Sequence, residues 1–112
     1  MLEIVQSQQN DIAILSLQGR LDTNTSSSLE TTLVDLVEKS QKKLLLDLSA
    51  LEFISSSGLR VLLMIAKRVK GMDGKMVLTS LKSNVQNVFE MAGFTMLFTI
   101  LPSNEKAIEA LQ

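Results

Sequence analysis

The chain has 112 residues, 46% hydrophobic and 21% charged, with a formal net charge of −1. That length and apolar content suit a single domain filling residues 1–112 around one core, and the near-neutral balance excludes a field strong enough to recruit nucleic acid or an anionic membrane. With no cysteine and no histidine, disulfides, thiolate chemistry, the commonest metal ligand and the commonest general base are all missing, so neither a metal nor a catalytic residue is expected.

The opening MLEIVQSQQND carries Glu3 and becomes polar at Gln6, unlike a secretory signal. The longest apolar runs, such as Val61–Ala66, fall well short of the ~20 residues of a membrane span, so a cytoplasmic protein is the expectation. Leu2 and Ile4 suggest a short first strand. After the polar loop SQQND, IAILSLQGR alternates Ala13, Leu15 and Leu17 with Ser16 and Gln18, so the two segments read as a hairpin. Leu29, Leu33, Leu36 and Val37 keep helical spacing, behind a cluster of cap-forming residues, and predict a helix from near Thr25 to near Ser40.

KKLLLDLS is the nearly continuous apolar run of a central strand covered on both faces. LRVLLMIAKRVKG follows as a largely buried helix, its negative end complemented by Lys67, Arg68 and Lys70 and capped at Gly71. MDG turns the chain into the strand KMVLTSL. Val85, Val88, Phe89 and Ala92 then mark a helix ending at Gly93, MLFTIL a last strand, and PSNEKAIEALQ a closing helix. The order β-β-α-β-α-β-α-β-α predicts an α/β fold: a mixed sheet of about four to five strands, after an N-terminal hairpin, packed against about four helices.

The stretch with chemical interest is ISSSGLR, residues 54–60, in which Ser55, Ser56 and Ser57 precede Gly58 at the start of the buried helix. A serine there can be a plain N-cap, contributing about 1 kcal/mol. One cap needs one hydroxyl, however, and a glycine weakens a helix start. A serine hydrolase would need a glycine where Ser55 stands and a histidine that the chain lacks, and no Gly-Lys-Ser/Thr string forms a phosphate-cradling loop. The other open reading is a hydroxyl offered to another protein's chemistry, where a helix dipole tolerates an added phosphate and Gly58 leaves room for the modifying enzyme.

Elsewhere, Asp22 reads as a turn residue or a binding residue, and Asp47 as mainly structural. Arg60 could contact a phosphate or a partner acid. The methionines fill core and edges, with Met91 and Phe94 a candidate contact patch.

The string DLSALEFISSSGLRVLL, residues 47–63, resembles the signature of the STAS family of anti-sigma factor antagonists, whose loop usually reads Asp-Ser-Ser/Thr-Gly before Leu or Ile. The segment GRLDTNT, residues 19–25, is similar to that family's Gly-x-Leu-Asp segment, and the resemblance runs the length of the chain. It implies the STAS fold and a non-enzymatic partner-switching regulator whose phosphoacceptor is Ser57. It also implies a partner surface of Asp22, Asn24, Ser55, Ser56, Ser57, Gly58, Leu59 and Arg60, with Ser56 supporting the loop or capping the helix. The implied partners are a serine kinase anti-sigma factor, which would bind the ATP, and a serine phosphatase; the free protein is expected to be a monomer. The departure is Ser55, standing where many members have Asp. Some members carry alanine before the glycine and cannot be switched there, whereas this chain keeps a hydroxyl. The alternative implied role is a constitutive, unphosphorylated STAS interaction module in a signalling or transport assembly.

Overall fold

Alternation along the second strand decides how the sheet is covered. In the computed structural model, which describes residues 1–112, β2 (Ile12–Leu21) sends Ala13, Leu15, Leu17 and Leu21 to one face and Ile12 to the other. It pairs antiparallel with β1 (Leu2–Gln9) and parallel with β3 (Lys43–Asp47); β5 (Lys75–Thr79) and β6 (Thr99–Leu101) extend the sheet in parallel. On the larger face pack α1 (Ser26–Glu38), α2 (Ser56–Gly71) and α3 (Ser83–Met91), whose Leu29, Leu33, Leu62, Ile65, Val85 and Phe89 are wholly buried. The smaller face is covered by α4 (Asn104–Leu111), where Ala107 and Leu111 meet Ile12, Leu45 and Val77. Leu44, Leu45 and Leu46 are therefore all buried, which accounts for the unbroken apolar run of a central strand.

Four features differ from the sequence reading. β1 continues through the polar stretch to Gln9, because an edge strand with one open face tolerates polar side chains; the chain reverses at Asn10, in the left-handed region at φ 56°. A short strand, β4 (Leu51–Ile54), precedes the serines and pairs with the end of β2, bringing the strands to six. The last strand is only Thr99–Leu101, because Thr95–Leu97 forms a 3₁₀ turn that drops Phe98 into the core, edge-on to Phe89 at 5.3 Å between ring centroids. Gly71 is the last residue of α2 and Met72 occupies the capping position.

The fourth strand matters most for function. β2 pairs with β3 through residue 16 and with β4 from Gly19↔Leu51 to Leu21↔Ile54, with a register shift at Gly19/Arg20 inside that second pairing. At the shift, Gly19 has φ 106° and donates to the Ala50 carbonyl, while the Arg20 N–H donates to the Met1 carbonyl. A Cβ at Gly19 would fall 2.3 Å from the Met1 oxygen, so both angle and space demand glycine. Arg20 beyond it lies over the Phe53 ring, 4.2 Å from the centroid, and Asn84 of α3 donates to the Glu52 carbonyl along β4.

Gly19→Ala is expected to lower the unfolding free energy by about 1–3 kcal/mol through the left-handed angle and the displaced β1 backbone. Urea denaturation checks this, and a change under about 0.5 kcal/mol would contradict it.

Candidate functional site

Two segments meet where β2 and β4 end side by side. After Leu21 the chain turns around the Asp22 carboxylate, whose Oδ1 accepts the N–H of Asn24 at 3.0 Å and that of Thr25 at 3.1 Å. The Thr25 hydroxyl accepts the Asp22 N–H and donates to the Arg20 carbonyl, each at 2.9 Å, and α1 begins at the next residue. Asp22 is thus the centre of a side-chain-built turn. Partial burial pushes its carboxyl upward, but the hydrogen bonds from Thr25 and Asn24 outweigh that and hold it below its ordinary 3.8.

The second segment starts α2. The Ser55 N–H donates to the Leu21 carbonyl at 2.9 Å, fastening the two segments together. The Ser55 hydroxyl accepts the Gly58 N–H at 3.3 Å and so caps the helix. This corrects the expectation for Ser56: the cap is Ser55, and Ser56 stands exposed in the first turn. Ser57 is half-buried, with its Oγ 3.3 Å from the Thr23 hydroxyl across the junction.

Gly58 and Leu59 face inward. A Cβ at Gly58 would lie 2.6 Å from Leu21 Cγ and 3.2 Å from Ile54 Cγ1, and Leu59 is only 4% exposed. The glycine therefore seats the helix on the strand ends. It does not leave room for an incoming enzyme, because its open side is already filled by this chain's own core.

The outward face of the junction carries Asp22, Asn24, Thr23, Ser56 and Ser57, with Arg60 exposed one turn further along α2. Ser57 and Arg60 also line a shallow groove of about 310 Å³ between α1 and α2, opposite Ser26 and Glu30. Thr23 and the groove residues Ser26 and Glu30 escaped the sequence reading. Thr23 and Ser57 are 34 residues apart and only the fold brings them together.

Asp47 lies elsewhere, at the end of β3, accepting the Ser49 N–H and the Asn104 side-chain amide, which in turn accepts from the buried Thr79 hydroxyl. Burial pushes its carboxyl up, and the bonds from Ser49 and Asn104 more than reverse that, which fits a structural role. No group of three or more His, Cys, Asp or Glu side chains is placed to hold a metal ion, and no helix is long and apolar enough to cross a membrane. Met91 is 88% exposed and Phe94 half-buried, beside Met96 at 91%.

A hydroxyl-bearing helix start clamped to a carboxylate-centred turn, on a mixed sheet covered by helices, defines a small α/β interaction module. The model of the STAS domain matches residues 3–107, and the chain belongs to that family. BtrV of Bordetella bronchiseptica, which bears a provisional name as an anti-sigma factor antagonist, is 35% identical over 111 residues, covering 99% of this chain and 96% of its own. Among solved structures, an anti-sigma factor antagonist from Mycobacterium paratuberculosis superposes with a TM-score of 0.90 at 22% identity, covering 99% of this chain and 94% of its own. The Bacillus cell fate determinant SpoIIAA in its phosphorylated form superposes with a TM-score of 0.77 at 16% identity, covering 98% and 100%.

The depressed Asp22 carboxyl has a stability consequence. Its folded-state value lies below the unfolded one, so its contribution is full above about pH 4 and is lost as pH falls through the folded value. Asp22→Asn keeps the accepting oxygen and removes the charge. The stability gap between the native chain and this variant should close as pH drops from 5 toward 2 in denaturation measurements; a gap independent of pH would contradict the assignment.

Proposed function

We propose that the protein is an anti-sigma factor antagonist that works by partner switching: with Ser57 unmodified it binds a serine kinase anti-sigma factor, and phosphorylation of Ser57 ends that binding. The observation that carries this reading is the placement of the Ser57 hydroxyl on an outward surface shared with Asp22, on a chain whose relative BtrV carries the antagonist name along its whole length. The shared fold of SpoIIAA, described in a phosphorylated form, is consistent with it. The chain itself is a regulatory binding protein and not an enzyme.

In the proposed switch, Ser57 Oγ attacks the γ-phosphorus of ATP held by the kinase. The new O–P bond forms as the bond to the ADP oxygen breaks, and the serine proton passes to a base of the kinase. A partner phosphatase reverses the change by hydrolysis, releasing inorganic phosphate and restoring the hydroxyl. The phosphate adds about −1.5 to −2 charges beside Asp22. Core packing is untouched, because Ser57 lies outside it and the α2 N-terminus favours an anion. The charge therefore acts on docking and not on folding.

Ser55 bears on the rate of this chemistry. It replaces the usual acid but performs the capping such an acid would perform, by accepting the Gly58 N–H. The helix start is thereby kept with one negative charge fewer next to the acceptor.

Incubation with ATP and a serine kinase anti-sigma factor that binds the chain, followed by peptide mass analysis, tests the proposal. The expected result is one phosphate on Ser57, absent in Ser57→Ala, with Ser57→Asp binding the kinase at least about tenfold more weakly, roughly 1.4 kcal/mol. Binding with no phosphate transfer, or with phosphate on Ser56 alone, would overturn it; the first of these would favour a constitutive module.

A further inference from the structure

Thr23 lies just past the Gly-x-Leu-Asp residues and is given no role by that motif, yet its hydroxyl is the group that reaches from the Asp22 turn to Ser57 Oγ, 3.3 Å away. Its position is fixed from several sides. The Asp22 carboxylate pins the two N–H groups that follow Thr23, and the Ser26 hydroxyl donates to the Thr23 carbonyl at 3.3 Å. Its β-branched side chain is itself restricted about χ1. Ser57, by contrast, is short and half-buried at a helix start, and the bond to Thr23 is its one side-chain hydrogen bond, so little else selects among its staggered rotamers.

Resting on the reading of Ser57 as phosphoacceptor, we propose that Thr23 is a positioning residue, whose hydroxyl holds Ser57 Oγ in the rotamer from which it accepts the phosphoryl group. The chemistry assigns the direction of the bond. When Thr23 donates, it occupies one lone pair of Ser57 Oγ; the other attacks the γ-phosphorus of kinase-bound ATP. The Ser57 proton is then free to leave to the kinase's base while the bond to ADP breaks. When Ser57 donates instead, its proton is directed at Thr23 and away from the kinase. After transfer, Ser57 Oγ is an ester oxygen without a proton, so only the Thr23-donating arrangement survives into the product. The same bond can thus persist through the reaction without reorganising the turn.

Thr23→Val removes the hydroxyl at nearly constant shape, and Thr23→Ser keeps it. Two readouts on the full chain separate this role from the acceptor role. The first needs no kinase: three-bond Hα–Hβ couplings of Ser57 measured by NMR. The expected result is a single rotamer in the native chain and in Thr23→Ser, and averaged couplings in Thr23→Val.

The second is single-turnover phosphoryl transfer at saturating kinase. Thr23→Val should slow transfer up to about threefold, the statistical weight of three staggered wells, with Thr23→Ser restoring the rate. Averaged couplings in the native chain, couplings insensitive to Thr23→Val, or a Thr23→Val rate equal to or above native would overturn the role of Thr23 while leaving Ser57 as acceptor. Couplings that behave as expected in a native chain that takes no phosphate on Ser57 would defeat the acceptor reading, and with it the role of Thr23 in transfer.

Discussion

The end of the molecule that carries Ser57 depends on one steric constraint: α2 begins against the ends of β2 and β4 with no room for a side chain at Gly58. Leu21 fills that space from one strand and Ile54 from the other, both almost wholly buried. Because Leu21 is the last residue of β2, whatever follows it is delivered to the foot of α2. The Leu21 carbonyl accepts the Ser55 N–H at the same place, so packing and hydrogen bonding fix the junction together. Upstream, β2 leaves β3 after residue 16 and pairs with β4 from Gly19 onward, and the register shift at Gly19/Arg20 brings Leu21 opposite Ile54.

From that junction the division of labour among the neighbouring residues follows. Buried apolar groups, Leu21, Ile54, Gly58 and Leu59, set the position of the helix start. Polar groups that bond the local backbone, the Asp22 carboxylate and the Ser55 hydroxyl, satisfy N–H donors that a turn and a helix start leave unpaired. The outward groups, Thr23, Asn24, Ser56, Ser57 and Arg60, lie on the outer side of that frame. A charge added to one of these would fall on a surface whose frame is held by other residues.

Much of the architecture was legible because its signals were periodic. The alternation of Ala13, Leu15 and Leu17, the unbroken run Leu44–Leu46 and the helical spacing of Leu29, Leu33 and Val37 each report burial on one face or both. What escaped had weak or misleading patterning. β4 is four residues long and runs almost directly into a helix, leaving too little chain for a period to show. The second half of β1 is polar because it lies at a sheet edge with an open face, and composition alone makes it look like a loop. At the site, the motif marked a stretch but not which way its residues point. The inward seat of Gly58, the choice of Ser55 over Ser56 as cap, and the meeting of Thr23 with Ser57 are all consequences of the β2–β4 pairing, which no local spacing encodes.

A double-mutant cycle between Gly58→Ala and Leu21→Ala tests the seat on which the rest is built. In the native background the added methyl should cost about 1–3 kcal/mol of unfolding free energy by overpacking against Leu21. With Leu21 already shortened to alanine the clash is relieved, and the same change should be neutral or stabilising by up to about 1 kcal/mol, the ordinary helix preference of alanine over glycine. An equal cost in both backgrounds would contradict the claim that Leu21 and Gly58 position the serine-bearing helix start.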